Sequence, residues 1–281
     1  AGRLALSSGL GVLDFQDAVY GPVTYDIASL MRDAFLSWEE DFVLDVTVRY
    51  WELARKAGLM DFEDWHSHEH FPERLGIPGF LRASRWRSVA GEGFFVIYEL
   101  AAHDTLSSPD YLARLNAPTP WSARLMPHHR NMVRSQCWVL ASAGGLLAHQ
   151  VLTLQLQAEG GDAATLAAEM QALCPMLASL PGLVGVHLLR HEAPAIAPTT
   201  EQRIRGLGDA AADWVLLLCG YEAAALGDAL AHEALTSALA RAGATPRRQG
   251  HFQLSHSAVA GDVSGPASET FSLRAVPQAA A

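Results

Sequence analysis

The spacing of short motifs repeats along the chain, and this repetition restricts the fold more than any other feature of the sequence. Pro181 follows Pro78 by 103 positions, and each Pro precedes a Gly at the start of a strand-like run. Trp214 follows Phe94 by 120 positions. The 17 additional residues fall near positions 192–209, in a loop-like stretch that contains Pro and Thr. An internal duplication with one enlarged loop accounts for both intervals.

Each copy alternates between strand-like and helix-like hydrophobic patterns. In the first copy the strand-like runs are 80–86, 93–100 and 132–140, and the helix-like runs are 61–75 and 111–115. In the second copy the strand-like runs are 146–157, 181–189, 214–220 and 251–259, and the helix-like runs are 163–180 and 222–242. The order βαββαβ defines the ferredoxin-like unit. Because both helices cover one face of such a sheet, we expect two units to bury their other faces together, as a pseudo-dimer within one α+β chain.

The first copy differs from the second because no clear strand precedes its first helix. Residues 46–51 stand at the corresponding place and contain the strand-forming residue types Val, Thr, Tyr and Trp. Their apolar spacing is closer to that of a helix, so we favour a helix there, with a strand as the alternative. A missing strand leaves a sheet edge unpaired, and such an edge favours association. The expected state is a monomeric pseudo-dimer or a homodimer.

Three segments carry a resemblance to a known fold family. Residues 65–75, which contain a Glu-His-x-Pro motif, and the Pro-Gly-Phe at 78–80 are similar to the dimeric α/β-barrel superfamily, near its EthD-like members. Residues 111–134 resemble a bacterial branch of it with tandem repeats. The similarity covers residues 61–260 and implies the fold. It does not imply one activity, because the superfamily includes monooxygenases, decolorizing peroxidases and isomerases.

The beginning of the chain carries a different signature. A strand-like run at 10–15 leads into GVLDFQDA at 11–18, and GPVTYDIASL follows at 21–30. These motifs resemble the C-terminal lobe of the aminoglycoside phosphotransferase family, especially its sugar-kinase-like bacterial members. In that family the residue matching Asp14 holds magnesium, and the residue matching Asp26 supports the catalytic region. The resemblance covers about the first 58 residues and implies a mostly helical kinase-tail-like segment.

Most of the machinery of phosphoryl transfer is missing from this sequence. The reaction needs a nucleotide-covering loop, a Lys on the phosphates, and a catalytic-loop Asp and Asn in addition to the metal-holding Asp. No His-x-Asp-x-x-x-x-Asn pattern occurs in the sequence, and its one Lys, Lys56, lies downstream of the motifs. A truncated ATP-dependent sugar or aminoglycoside phosphotransferase, which we expect to be inactive as this chain, is therefore the alternative to the small-molecule-binding function considered below. Mg-ATP would be a cofactor only with an upstream kinase region, and Asp14 is otherwise an exposed acidic residue.

The predicted boundaries are 1–60 for the phosphotransferase-like segment, 61–142 and 143–260 for the two ferredoxin-like repeats, and 261–281 for a flexible tail. A chain of this kind looks like a chimera. A natural fusion, a frameshift and a sequence-assembly join would each produce it. It begins at Ala1 rather than Met, as a fragment or a processed product does.

A small-molecule pocket of unknown specificity is the predicted functional site, and a cofactor-free oxygenase or isomerase is its possible catalytic form. The pocket residues that we predict are His70, Tyr98, Trp121, His128, Asn131 and Arg134. If residues 130–134 form a strand, Asn131 and Val133 face one side, while Arg130 and Arg134 face the other. The two Arg side chains would then suit an anionic ligand, because guanidinium groups donate paired hydrogen bonds. The alternative is that these charged side chains lie at the start of a strand, exposed to solvent, and bind no ligand. Trp86, Phe94 and Trp138 either line an apolar cavity with Tyr98 or belong to the core.

Three His residues stand close together at 66, 68 and 70. On a helix, His66 and His70 share a face as zinc-binding pairs do, whereas His68 points elsewhere. No third ligand is evident from the sequence, so we favour packed His side chains over a metal site.

Composition excludes several classes of function. The chain has 20 Lys and Arg against 30 Asp and Glu and a net charge of -10, which argues against binding of a nucleic-acid backbone. No apolar run approaches the roughly 20 residues that span a bilayer, and we expect a cytoplasmic protein without membrane or nucleic-acid partners. The three Cys residues are odd in number and widely spaced, which indicates reduced, buried thiols.

Overall fold

The computed structural model describes residues 39–56, 61–91, 93–158, 163–206 and 208–262. The chain divides into two compact units, Ala1–Leu59 and Met60–Ala281. The predicted strand at 10–15, Asp14, Asp26 and residues 263–281 of the predicted tail lie outside the described residues.

The described part of the first unit contains one helix, α1, at Glu40–Lys56. Glu40 and Asp41 lie in its first turn, where the helix dipole stabilises negative charge. Val43 is buried and packs with Val46 and Tyr50, which follow at helical spacing. Residues 46–51 are thus helical, as their apolar spacing predicted, and not a strand.

The second unit is built on one antiparallel sheet of seven strands. The strands are β1 Phe80–Ser88, β2 Phe94–Leu100, β3 Cys137–Gly144, β4 Gln150–Ala158, β5 Leu183–His191, β6 Trp214–Gly220 and β7 Ala244–Val259. Their order across the sheet is β2-β1-β7-β4-β6-β5-β3. The third and fourth strands of this order, β7 and β4, pair from Ala244–Ala158 to Gln253–Gln150.

Helices connect these strands. They are α2 Asp61–Trp65, α3 Phe71–Leu75, α4 Pro109–Asn116, α5 Pro120–Leu125, α6 Ala163–Ala178, α7 Thr200–Arg205, α8 Ala223–Leu230 and α9 Glu233–Arg241. A π-helical turn, His66–His70, joins α2 to α3, and short 3-10 turns lie at His103–Ser107, Met126–His128 and Ala260–Asp262. Ser108 and Thr119 cap α4 and α5, because each hydroxyl accepts a hydrogen bond from a backbone N–H three residues later.

The sheet buries both of its faces. On one face, α6, α8 and α9 pack on Leu154, Leu216 and Leu218. The other face carries a separate apolar cluster that includes Trp86 and Leu217. The alternation of side chains along each strand produces this division, because neighbouring residues point to opposite faces.

Several elements differ in extent from the prediction. The strand predicted at 132–140 begins only at Cys137, and residues 131–136 contain an isolated bridge between Val133 and Ala210 instead. The helix predicted at 222–242 is two helices, α8 and α9. The Cys residues are free thiols as predicted, and burial raises the pKa of Cys219 to about 12.

We expect Gly144→Ala to destabilise the pairing of β3 with β5. Gly144 has φ +73°, and a Cβ atom there would lie 2.0 Å from the carbonyl oxygen of Val184. A non-Gly residue in the left-handed region with such a clash costs roughly 1–3 kcal/mol of unfolding free energy. Gly145→Ala is the control, because nothing lies within 4 Å of its Cβ position. Chemical denaturation measures both, and equal stability of the two variants would contradict the structure.

Candidate functional site

The π-helical turn His66–His70 interrupts the helix between α2 and α3. Such turns insert a residue into a helix and are frequent at functional sites. Here the turn directs the side chains of His66 and His70 to the same side, with their ring centroids 5.4 Å apart. His68 is exposed, and its Nδ1 contacts the backbone oxygen of Asp64 at 2.9 Å.

Five rings meet beside this turn. Trp65 stacks on His70 with 4.5 Å between centroids, and it lies 5.7 Å from His129. His70 meets the ring of Tyr98 on β2 edge-on at 6.3 Å. We call Trp65, His66, His70, Tyr98 and His129 the imidazole cluster. It joins the turn, the sheet and the loop after α5 into one site.

Two phenylalanines adjoin the cluster near the surface. Phe62 stacks on His66 at 5.1 Å and on Phe94 at 4.6 Å. Phe94 is 37% exposed, and the guanidinium of Arg85 lies 5.8 Å from its ring centroid. Phe62 thus contacts both the imidazole cluster and the partly exposed ring of Phe94.

Polar atoms of the imidazole cluster are buried without hydrogen-bond partners in the described part of the chain. They are Nδ1 of His66, Nδ1 of His70, both ring nitrogens of His129 and the hydroxyl of Tyr98. The carboxylate of Glu73 lies 3.8 Å from Nδ1 of His70, beyond hydrogen-bond distance. An unpaired buried polar group costs about 1–3 kcal/mol, and buried polar groups in native proteins usually have a hydrogen-bond partner.

Burial keeps the imidazoles uncharged. Desolvation lowers the pKa of His66 well below its ordinary value, and the positive charge of Arg85 lowers it further. Desolvation and then Arg74 lower the pKa of His70 in the same way. Burial also lowers the pKa of His129 and raises that of Tyr98. At neutral pH, therefore, each imidazole has one N–H donor and one acceptor nitrogen, and Tyr98 keeps its proton.

A buried network of ion pairs connects α3, the helix that follows the π-helical turn, to α7. Arg74 on α3 donates to Glu201 on α7 at 2.5 Å, and Arg205 lies 3.7 Å from the same carboxylate. Burial opposes the charge of Arg74, but Glu201 and Glu73 outweigh it and raise the pKa of Arg74. Burial raises the pKa of Glu73. This network joins α3 to α7 across 127 positions of sequence.

Glu69 fixes the indole of Trp65. Its Oε1 accepts hydrogen bonds from the indole N–H and from the hydroxyl of Ser122, each at 3.1 Å, and from the hydroxyl of Thr119. Thr119 and Ser122 belong to the start of α5. The ring cluster is thereby tied to α5 as well as to the sheet.

Two of the six predicted pocket residues, His70 and Tyr98, lie together in the imidazole cluster. Trp121 is half-buried on α5. His128 and Asn131 are exposed, and Asn131 has φ +52°. Arg134 donates to the hydroxyl of Tyr111 at 2.8 Å. The prediction of alternating faces at 130–134 was wrong, because these residues do not form a strand.

The predicted set of aromatic residues is divided between different places. Trp86 lies on the opposite face of the sheet, where its indole donates to the backbone oxygen of Ala148 at 2.9 Å. Trp138 is 43% exposed and stacks on His103 at 4.7 Å. Only Phe94 lies near the imidazole cluster with Tyr98.

Sequence reasoning missed His129 and Phe62 as site residues and considered His66 only as a metal ligand. The His-His pair at 128–129 was visible, but nothing local distinguishes the exposed member from the inserted one. Among the residues that the structure describes, no group of three His, Cys, Asp or Glu side chains is arranged to hold a metal ion. None of the described helices combines the length and hydropathy that a bilayer-spanning segment needs.

Comparisons with known proteins match different parts of the chain to different proteins. Residues 7–70 match the phosphotransferase enzyme family. The chain is 53% identical over 74 residues to the N-acetylmuramate/N-acetylglucosamine kinase of Neisseria meningitidis serogroup B, which is 26% of this chain and 22% of the kinase. It is 43% identical over 72 residues to the Pseudomonas putida kinase of the same name, 26% of this chain and 21% of that one. The chain thus spans about a fifth of these relatives.

The family match extends past the predicted boundary at residue 60 and includes α2 and the π-helical turn. Among solved structures, an anthrone oxidase-like protein is similar with a TM-score of 0.49 and 12% identity, over 72% of this chain and 87% of that one.

We expect the imidazole cluster to make the protein less stable in mild acid. Histidines in the unfolded chain titrate near a pKa of about 6.5. Because the folded pKa values of His66 and His70 are lower, the unfolded state binds more protons as pH falls below 6.5, and the free energy of unfolding decreases until the folded pKa values are reached. Denaturation at pH 7.5, 6.5, 5.5 and 4.5 measures this slope.

His66→Gln removes one of these titrating groups and should flatten the decrease below pH 6.5. His128→Gln is the matched control, because His128 is exposed and outside the cluster. An identical slope in the wild type and in His66→Gln would show that His66 is not held neutral by burial.

Proposed function

We propose that the second unit is a small-molecule-binding protein composed of two ferredoxin-like repeats, and that the imidazole cluster is its ligand site. The observation that carries the proposal is the set of buried, unpartnered nitrogen and oxygen atoms within a shell of aromatic rings. The repeat architecture is supported by the order β7-β4-β6-β5, in which the strands of the second copy have the arrangement 4-1-3-2. Both repeats lie in one chain, which favours a monomeric pseudo-dimer.

A comparison of the two copies supports a functional role for the cluster. By the interval of 120 positions, Tyr98 corresponds to Leu218, which is fully buried in the apolar core. By the interval of 103 positions, His70 corresponds to Leu173, which packs against the same core. The fold itself is therefore satisfied by Leu at these positions. Imidazole and phenol groups add buried polar atoms that a core alone does not need.

The chemistry of the site suits an uncharged, planar ligand with a hydroxyl or carbonyl group. Neutral imidazoles offer one donor and one acceptor each, and the faces of Trp65 and Phe62 offer stacking surfaces. No charged side chain belongs to the cluster itself. A ligand must displace Phe62 or Phe94, because in this state the rings fill the space between them.

Proton transfer follows from the same groups. An unprotonated nitrogen of His66 or His70 accepts a proton from a carbon or oxygen atom of the ligand, which then carries the negative charge. Tyr98 remains protonated, and its hydroxyl donates a hydrogen bond to the resulting enolate oxygen. Return of the proton to another atom is an isomerisation. Reaction of the enolate with dioxygen is an oxygenation, and neither route requires a bound metal or organic cofactor.

Enolisation tests the proposal directly. We expect the wild type to accelerate exchange of the α-hydrogens of 2-tetralone, an enolisable ketone fused to a planar aromatic ring, in D2O, as followed by NMR. His70→Leu and Tyr98→Phe should each lower the rate by about 10²-fold, which is within the usual contribution of a general acid or base. An oxygen electrode in parallel distinguishes oxygenation from isomerisation.

His128→Ala serves as the control for the exchange measurement, since His128 is exposed and does not belong to the cluster. Equal rates in all four proteins would remove the cluster from proton transfer. Saturable quenching of Trp fluorescence by 1-naphthol, lost in His70→Leu, would then still support a binding role without catalysis.

A second candidate function is that of a sugar phosphotransferase, which the match of residues 7–70 to the phosphotransferase enzyme family favours. The relatives are named as kinases of N-acetylmuramate and N-acetylglucosamine, and the part of them that matches corresponds to only about a quarter of this chain. Asp14 would hold Mg-ATP only together with the other parts of a kinase, as the resemblance implies.

We expect no phosphorylation of N-acetylglucosamine by this chain with Mg-ATP. The nucleotide loop and the catalytic-loop Asp and Asn that the reaction needs have no counterpart in its sequence. Mass spectrometry of the sugar after incubation measures the outcome. Phosphorylation that is lost in Asp14→Asn would establish the kinase function and displace the first proposal.

A further inference from the structure

The face of the sheet opposite α6, α8 and α9 holds a polar pair that is separate from the imidazole cluster. His187 on β5 is paired with Leu217 on β6, and directly opposite residues of neighbouring strands share one face. Leu217 packs on this face with Trp86. Tyr98 of the imidazole cluster points to the other face, where its ring meets that of Phe71. The two sites share no residue.

Ser142 on β3 completes the polar pair. It stands directly opposite His187 in the register of β3 and β5. Its Oγ lies 2.7 Å from Nδ1 of His187, at hydrogen-bond distance. His187 is only 6% exposed, whereas Ser142 is exposed. An accessible hydroxyl thus meets a buried imidazole.

Gly185 leaves the space in which this imidazole lies. A Cβ atom on Gly185 would be 2.1 Å from the carbonyl oxygen of Gly145 and 2.9 Å from Nε2 of His187. Nε2 makes no hydrogen bond of good geometry in the described part of the chain, but it is on the side of this carbonyl. Because a carbonyl oxygen only accepts, the hydrogen of the neutral ring belongs on Nε2. Nδ1 is then the acceptor, and the hydroxyl of Ser142 donates to it.

Burial keeps the imidazole of His187 ready to accept a proton. Desolvation lowers the pKa of His187, and an interaction with the backbone of Gly145 opposes this shift only in part. The ring is therefore neutral at neutral pH. A Ser hydroxyl is a weak nucleophile by itself and is activated by an adjacent base that a third group orients. Ser142, His187 and the carbonyl of Gly145 stand in this order.

Apolar side chains surround the polar pair. Leu146, Val184 and Leu189 pack against the buried cluster on this face and stay partly exposed. Val139, which is opposite Leu189 on β3, is 61% exposed. An apolar acyl group gains burial on such a surface, whereas a charged one loses hydration. The surroundings of Ser142 therefore favour an uncharged substrate.

We propose that Ser142 is a nucleophile that takes the acyl group from uncharged carboxylic esters, with His187 as its general base. As Oγ of Ser142 attacks the carbonyl carbon of the ester, its proton moves to Nδ1 of His187. The bond between the carbonyl carbon and the alcohol oxygen then breaks, and the alcohol leaves with the proton from His187. The products are acyl-Ser142 and the free alcohol.

A fluorophosphonate with a short alkyl chain tests the nucleophile in the full chain, because such a reagent reacts with activated Ser hydroxyls and only slowly with ordinary ones. Oγ of Ser142 bonds to phosphorus, fluoride leaves, and His187 takes the proton. Mass spectrometry of proteolytic peptides locates the label. We expect Ser142 to be labelled about 10²-fold faster than Ser179, which is also exposed but donates its hydroxyl to the backbone oxygen of Met176.

His187→Gln should slow the labelling of Ser142 by about 10²-fold, because Gln keeps a hydrogen bond but takes no proton. His128→Gln is the matched control, since His128 is exposed and belongs to neither site. Chemical denaturation shows that each variant keeps the fold. Ser142→Ala removes only an exposed hydroxyl and should abolish the rapid release of 4-nitrophenol from 4-nitrophenyl butyrate. This second variant keeps the test valid where His187→Gln is unstable.

Labelling of Ser142 only as fast as that of Ser179, or equally fast in the wild type and in folded His187→Gln, would overturn the proposal. The pair would then be a structural hydrogen bond between two strands. Rapid release of 4-nitrophenol that survives Ser142→Ala would overturn it as well. His70→Leu removes a base of the imidazole cluster and should label Ser142 like the wild type, so this proposal and the enolisation proposal fail independently.

Discussion

The pairing of β7 with two different strands is the constraint on which the second unit depends. Its first part forms a ladder with β4, and its last part forms one with β1. Because a shift of one residue would turn every side chain to the opposite face, both ladders fix which residues face the helices. Tyr98, on the strand that pairs with β1, is directed toward the π-helical turn through this register.

The side chains that pack on the sheet differ between its two halves. On one half, α6, α8 and α9 cover the sheet with Leu, Met and Ala, and the interior is an apolar core. Beside the π-helical turn, three imidazoles and a phenol lie against the sheet instead. Polar groups without partners reduce stability, and the close apolar packing under α6, α8 and α9 offsets this cost within the same sheet.

The buried charged side chains form a network that is separate from the imidazole cluster. Arg74, Glu73, Glu201 and Arg205 neutralise one another within hydrogen-bonding or ion-pair distance. Removing one partner of such a buried group leaves an uncompensated charge, so the network holds α3 and α7 in a defined arrangement. The same network contributes to the low pKa of His70, because Arg74 disfavours a second positive charge nearby. Structural support and the neutrality of the site are therefore linked.

Much of the fold was predictable from local patterns. The runs that begin at Phe80, Phe94 and Trp214 are strands as predicted, and residues 46–51 are helical. The strand at 132–140 was predicted too early, because strand propensity in this segment does not reveal whether a neighbouring strand is present to pair with it. Of the predicted pocket residues, His70 and Tyr98 lie together, whereas His128 is exposed, since exposure depends on how the loop after α5 enters the structure.

By itself the sequence determined the alternation of strands and helices, the repeat intervals and the kinase-like beginning, because periodicity and motifs are properties of neighbouring residues. Only the tertiary structure decided which side chains meet. The π-helical turn places His66 and His70 on one side, and the loop after α5 places His129 beside Trp65 in the same cluster. Arg74 binds Glu201, which lies 127 positions away in the sequence. Such contacts depend on long-range packing, which no local pattern encodes.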